Sequence, residues 1–259
     1  MAVNNEVYDE LADGWWDETG FLHGIKTLLN PPRMAYLRRV LLTHGRHPGG
    51  LEILDVGCGG GLLSEEIARL GPKRLVGVDP SRESIAVARR HAADSGLSIE
   101  YEVARGEELP FDDASFDFVA CCDTLEHVDD VRAVVAQVSR VLRPGGIFAY
   151  DTINRNAFSR LIAIQLLQEW RLTRINPPGL HDWEKFLKPE EMEQILAENG
   201  LQTLDLVGLD RRLQPLRTLW TILQCKRGKI THAEAGRRLP LSIHPTRTRF
   251  LYMAHGLKA

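Results

Sequence analysis

Between Leu51 and Thr152, short apolar runs alternate with segments whose apolar residues recur at helical spacing. That rhythm predicts parallel strands joined by crossover helices. Strands are expected at 51–56, 74–78, 98–103, 115–122 and 147–151. Helices are expected at 62–70, with apolar residues at 62, 63, 67 and 70, at 81–93, and at 128–142, with apolar residues at 131, 134, 135, 138, 141 and 142. Ser81 stands where an N-cap belongs, with Ser84 in place of the Glu of a capping box. Arg143-Pro144-Gly145-Gly146 stops the third helix and opens the fifth strand.

Outside this stretch the pattern changes. Residues 30–42 read as one helix before the first strand. Residues 157–173 are a helix candidate carrying Phe158, Leu161, Ile162, Leu166 and Trp170, after which Asn176-Pro177-Pro178-Gly179 turns the chain. Another helix opens at Lys188-Pro189 and closes at Asn199-Gly200, and strand character returns at 201–207 and 248–253. The whole reads as one open α/β sheet. An N-terminal helical lid covers 1–45, and the body covers 46–259 with an insertion at about 154–187.

Composition narrows the class. Of 259 residues, 44% are hydrophobic, 26% are charged, and 22 Gly and 13 Pro are scattered, which excludes collagenous, low-complexity and wholly disordered chains. No run of about 18 apolar residues offers a membrane-spanning helix. Met1-Ala2-Val3-Asn4-Asn5-Glu6 lacks the basic and apolar regions of a secretory signal. Cys58, Cys121, Cys122 and Cys225 match neither a disulfide framework nor a zinc spacing. The expectation is a reduced, cytoplasmic chain.

The net charge of −3 is unevenly spread: residues 205–259 hold 11 Lys/Arg against 3 Asp/Glu, a balance of +8 that leaves −11 for the rest. Such a segment suits phosphates, anionic headgroups or an acidic partner, or is a solvated face offsetting an acidic body. Trp220, Phe250 and Tyr252 are its few aromatics, so no nucleic acid is expected as a partner.

The most informative stretch is Asp55-Val56-Gly57-Cys58-Gly59-Gly60-Gly61 at the end of the first strand. Its glycines permit a tight turn and let a ligand approach bare backbone. Asp79, ending the next strand, is placed for ribose hydroxyls. Dinucleotide-binding dehydrogenases share this arrangement, but their fingerprint requires Gly at position 62, which is Leu here. With Gly77-Val78-Asp79 and Leu142-Arg143-Pro144-Gly145-Gly146, the pattern resembles class I S-adenosylmethionine-dependent methyltransferases.

Further segments narrow the likeness: Trp15-Trp16-Asp17, Leu22-His23-Gly24, Asn30-Pro31-Pro32-Arg33, Leu125-Glu126-His127-Val128, Asp151-Thr152-Ile153-Asn154-Arg155-Asn156 and His181-Asp182-Trp183-Glu184-Lys185-Phe186-Leu187-Lys188-Pro189. Over roughly 11–201 the chain resembles the ubiquinone-pathway catechol O-methyltransferases, while its basic segment 214–241 looks longer than theirs. The resemblance implies a Rossmann-like fold with an open, mostly parallel, seven-stranded sheet and helices on both faces. It implies S-adenosylmethionine bound by Arg33 at the methionine carboxylate, by Asp55, Gly57, Cys58 and Gly59 along the loop, and by Asp79 and Pro80 at the ribose. Cys122 would line the cofactor pocket. Gly106 and Glu107 would lie near the adenine, although Arg105-Gly106-Glu107-Glu108 departs from the Asp-Ala-Glu of many relatives. The bland alternative for Arg33 is a helix-surface arginine.

Asp123, Glu126 and His127 follow the fourth strand at i, i+3 and i+4, the spacing of one helical face. Two carboxylates and an imidazole suit Mg²⁺, Mn²⁺ or Zn²⁺. The resemblance implies a divalent-cation triad with Asp123 where the family has Glu. Without metal, His127 reads as a general base, or the three are structural. His181 is a second base candidate or a loop anchor. Trp15, Trp16 and His23 form a lid or plain core. The 157–173 helix roofs the acceptor pocket or lies in a membrane interface. The expected activity is methylation of a phenolic or catechol hydroxyl on a quinone-like or secondary-metabolite small molecule. N- or C-methylation, and a non-catalytic cofactor-binding role, stand as alternatives.

Overall fold

The computed structural model describes residues 6–210 and 215–259. The first five residues of the N-terminal reading, and Arg211, Arg212 and Gln214 of the basic segment, lie outside it. In chain order the elements are α1 (Glu6–Glu10), α2 (Phe21–Leu28), α3 (Asn30–Thr43), β1 (Glu52–Val56), α4 (Leu62–Ala68), β2 (Arg74–Asp79), α5 (Arg82–Asp94), β3 (Glu100–Val103), β4 (Phe116–Cys121) and α6 (Val131–Val141). There follow β5 (Leu142–Ile153), α7 (Ala157–Ser159), α8 (Pro189–Glu198), β6 (Leu201–Asp210), α9 (Pro215–Lys226), α10 (His232–Arg238), β7 (Ser242–His244) and β8 (Leu251–Lys258).

The strands form one sheet in the order β3-β2-β1-β4-β5-β8-β6-β7. β1 to β5 pair in parallel, while β8 lies antiparallel between β5 and β6. Alternation along β4 sets two cores: Phe118 and Ala120 join a layer with α3 and α4, whereas Val119 and Cys121 face the valines of α6. Val134, Val135, Val138 and Val141 are all buried there, each contributing about 1.5–3 kcal/mol relative to exposure. Capping follows the sequence: Ser81 Oγ accepts from Ser84 N at 3.0 Å, and Asp130 caps α6.

Four expectations change. The sheet has eight strands rather than seven, because the segment between β6 and β8 supplies the short edge strand β7. β5 starts at Leu142, since Arg143-Pro144-Gly145-Gly146 continues it through a register shift against β4. The 157–173 helix is α7 continued as a π-helix over Arg160–Glu169. The basic segment, read without elements, carries α9 and α10, and α10 packs on α2.

Candidate active site

Parallel strands deliver their carboxyl ends to one edge, and the loops leaving β1, β2, β4 and β5 meet there. Gly57, Gly59 and Gly61 all have positive φ (74°, 51° and 84°). A Cβ at Gly57 would stand 2.1 Å from Thr124 Oγ1, and one at Gly60 would stand 2.2 Å from the Trp15 ring. The turn is tied to β2: the Gly57 and Cys58 amides donate to Val78 O at 2.8 and 3.0 Å. Asp79 accepts from Gly59 N through Oδ2 and from Ser81 N through Oδ1, both at 2.9 Å. Burial pushes its carboxyl up to about 6. Asp55 accepts from Ser64 Oγ at 2.6 Å, and burial pushes it up to about 7.

This loop opens into a cavity of about 280 Å³. Every cofactor-side residue expected from the sequence lines it, from Arg33 and Asp55 through Asp79 and Pro80 to Gly106, Glu107 and Cys122. At the far end Glu107 accepts from Asp129 N at 3.0 Å, and Asp129 pairs with Arg105 at 2.6 Å. Trp15 donates to Ser84 Oγ at 3.0 Å and lies flat on the glycines, while Trp16 donates to Gly60 O at 2.8 Å and stacks on His91. The two tryptophans therefore pack against the glycine loop. His23 is buried beneath Trp16.

Arg33 is buried, donating to both oxygens of Asp151 (2.5 and 2.9 Å) and lying 3.1 Å from Asp123. It is not a helix-surface arginine. Asp151, which the sequence reading did not single out, also accepts from Asp123 N at 2.9 Å. That bond helps hold Asp123 at φ 55°, a conformation costly for a non-glycine residue. The signal for Asp151 was its place at the end of the strand beside β4.

Residues 123–127 form a turn rather than a helix, which corrects the one-face reading. Glu126 lines neither cavity of this region; it is fully buried and accepts from Thr152 Oγ1 at 2.8 Å. Its Oε1 is buried without a hydrogen-bond partner, and burial reinforced by the Asp123 charge pushes the acid up to about 8. Asp123 is meanwhile taken by Arg33. Asp123, Glu126 and His127 do not fit a divalent cation. Among the described residues no three His, Cys, Asp or Glu side chains group as a metal site.

His127 faces the cavity. Burial, with His181 beside it at 5.1 Å between ring centroids, pushes its imidazole down to about 3, so it is neutral. Burial holds His181 at about 4. The phenol of Tyr8 on α1 lies 3.3 Å from His127 Nε2, and burial followed by the Asp123 charge holds it above its ordinary value. No sequence signal marked Tyr8. The His181 backbone is clamped by Gln168 of the π-helix: His181 N donates to Gln168 Oε1 at 2.7 Å, and Gln168 Nε2 donates to His181 O at 3.0 Å. Lys185 binds Val128 O at 3.0 Å, tying the 181–187 loop to the β4 loop.

A second cavity of about 210 Å³ adjoins the first, walled mainly by apolar residues such as Phe21, Leu28, Leu167, Ile175 and Ile222, with His181. Tyr8, Ile25, Asp123 and His127 line both. The arrangement offers a polar ligand pocket and an apolar one, meeting at a neutral imidazole.

Residues 54–150 match a family described as "Methyltransferase domain". The chain is 37% identical over 222 residues to the ubiquinone biosynthesis O-methyltransferase of Rhizobium etli, covering 83% of this chain and 87% of that protein. It is 38% identical over 221 residues to that of a Methylobacterium species, covering 83% and 86%. Solved structures of similar fold include the magnesium protoporphyrin IX methyltransferase of Synechocystis with bound SAH (TM-score 0.62, 16% identity, 98% of each chain). Another is a SAM-dependent methyltransferase from Aquifex aeolicus (TM-score 0.59, 14% identity, 99% of each chain).

Proposed function

The chain belongs to the ubiquinone biosynthesis O-methyltransferase family, and we propose that it moves the sulfonium methyl of S-adenosylmethionine onto a phenolic hydroxyl of a quinone-like acceptor with an apolar tail. It is a SAM-dependent methyltransferase. The observation that carries the acceptor reading is the junction: the glycine-loop cavity and the apolar cavity share His127 in their walls. In this reading Asp79 accepts from the ribose hydroxyls, and Arg33, fixed by Asp151, faces the methionine carboxylate.

The chemistry is an in-line displacement. The phenol oxygen attacks the methyl carbon, the carbon–sulfur bond breaks toward neutral S-adenosylhomocysteine, and the phenolic proton goes to His127. Holding the partners in line lowers the barrier by roughly 7–11 kcal/mol in favourable cases. Full deprotonation of a phenol at neutral pH costs about 4 kcal/mol. The proton grows more acidic as the carbon–oxygen bond forms, so an imidazole held low by burial still accepts it during transfer. His181, beside His127 in the wall of the second cavity, positions the acceptor ring, and its loop anchoring by Gln168 serves that role.

The walls of the apolar cavity support a peripheral membrane reading. The π-helix and the turn after it expose Leu161, Trp170 and Leu172, and α9 exposes Leu216, Leu219 and Trp220, beside Arg160, Arg171, Arg174, Lys226 and Arg227. Exposed tryptophan and leucine among cations suit an anionic lipid surface, from which an apolar acceptor can enter. Among the described residues no helix is long and apolar enough to cross a membrane.

Labelled S-adenosylmethionine offered with catechols and prenylated quinols tests the activity. O-methyl ether formation is expected, with and without chelator, and a drop of about 10²–10⁴ in rate for His127→Gln while S-adenosylhomocysteine still binds. Turnover confined to amines or carbon acids would overturn the O-methyl reading. Co-sedimentation with vesicles tests the surface: binding should need anionic lipid and weaken in Trp220→Glu.

A further inference from the structure

We propose that Tyr8 holds the acceptor's place, its phenol standing at the junction of the two cavities until an incoming phenol displaces it. The inference rests on the O-methyltransferase reading above. An oxygen that receives a methyl from one cavity while its ring fills the other must lie where the cavities meet. Of the residues lining both, Tyr8 alone carries that functional group. Its hydroxyl is 3.3 Å from His127 Nε2, and the two rings meet edge to face at 5.5 Å. This is the contact that an acceptor phenol makes with its base.

The surroundings allow the exchange. Tyr8 lies nearly parallel to Trp15, with an interplanar angle of 10° and centroids 6.1 Å apart. Trp15 is pinned separately by Ser84, so it remains as an aromatic wall for the ring that replaces Tyr8. α1 has five residues, and its main element contacts are with α5 and the 3₁₀ turn at Ala12–Gly14. A helix this short has little stability of its own and is held by packing, including that of Tyr8, which an incoming aromatic ring can replace. Tyr8 thus favours acceptors that bind well enough to displace a hydrogen-bonded phenol and keeps water from the empty junction.

The test uses the full chain with catechol as acceptor. Tyr8→Phe keeps the ring but loses the bond to His127, so kcat/KM should rise through a KM about two- to tenfold lower, the worth of one net hydrogen bond. In Tyr8→Ala the vacated site should take p-cresol more tightly than the parent chain, where p-cresol must first displace Tyr8, both in calorimetry with S-adenosylhomocysteine bound and in competitive inhibition against catechol. A fall in kcat with KM unmoved, or equal p-cresol binding by parent and Tyr8→Ala, would overturn the proposal. If the parent methylates no hydroxylated compound, the functional reading fails, and the p-cresol heats still judge place-holding alone.

Discussion

Gly57 concentrates the demands of the site on one position. Its φ of 74° and the 2.1 Å approach of Thr124 Oγ1 to an added Cβ are separate obstacles. Gly57→Ala should therefore lose measurable affinity for S-adenosylhomocysteine and about 1–3 kcal/mol of stability. Adding Thr124→Ala should recover only part, because the backbone strain persists; full recovery in calorimetry and thermal melts would reassign the glycine to space alone. Asp79 makes a different prediction. Raised to about 6 by burial, it is a charged acceptor above that pH and a protonated acid below it. Cofactor affinity should fall as pH drops through about 6, and Asp79→Asn should flatten that dependence while weakening binding at neutral pH. An unchanged slope in the variant would assign the titration elsewhere.

Among the elements, the π-helix after β5 acts on the site through Gln168. Its amide satisfies both backbone groups of His181, and losing a buried partner costs about 1–3 kcal/mol per group. Gln168→Leu should destabilise the chain by a few kcal/mol and speed hydrogen exchange at the His181 amide, with a raised acceptor KM. Unaltered exchange there would mean the loop is held by Lys185 and its neighbours instead. Part of this element scale was readable in advance. The 62–70 and 128–142 periodicities found α4 and α6, because each packs one stripe on the sheet, and the Ser81 cap found α5. The π-helix was read as an ordinary helix, since hydrogen-bond slippage leaves no mark in apolar spacing. α9 and α10 were missed because basic residues interrupt their stripes, because α9 leaves Leu216, Leu219 and Trp220 exposed, and because α10 has only alanines as apolar residues.

Across the whole molecule, buried ionisable groups pull stability in opposite directions. His127, His181 and His255, held at about 3, 4 and 4, are neutral when folded, whereas unfolded imidazoles take protons near 6.5. Their contribution is present above about 6.5 and is lost as pH falls toward 4. Asp55, Asp79 and Glu126, raised to about 7, 6 and 8, act oppositely: stability present near pH 4 is lost as pH rises through those values. The two sets offset each other between pH 4 and 6.5, so a difference isolates one group better than a single curve. His255 sits between Tyr36 and His44, each 3.0 Å away, and joins α3 to β8. Urea melts of His255→Gln should lose less stability than the parent between pH 6.5 and 4. Parallel curves would remove His255 from the acid response.

Short-range chemistry wrote the cofactor half of the site into the chain: strand ends, obligatory glycines and Asp79 are fixed by local backbone needs and by a parallel sheet's common edge. The acceptor half depended on folding. Glu126 shares a motif with His127, yet the turn at 123–127 sends its carboxyl to Thr152 and leaves the imidazole facing the cavities. Asp151 meets Arg33 across 118 positions of sequence, and Tyr8 meets His127 across 119. Contacts of that range carry no periodic signature, because only the packed sheet and the helices and loops around it bring the groups within hydrogen-bonding distance.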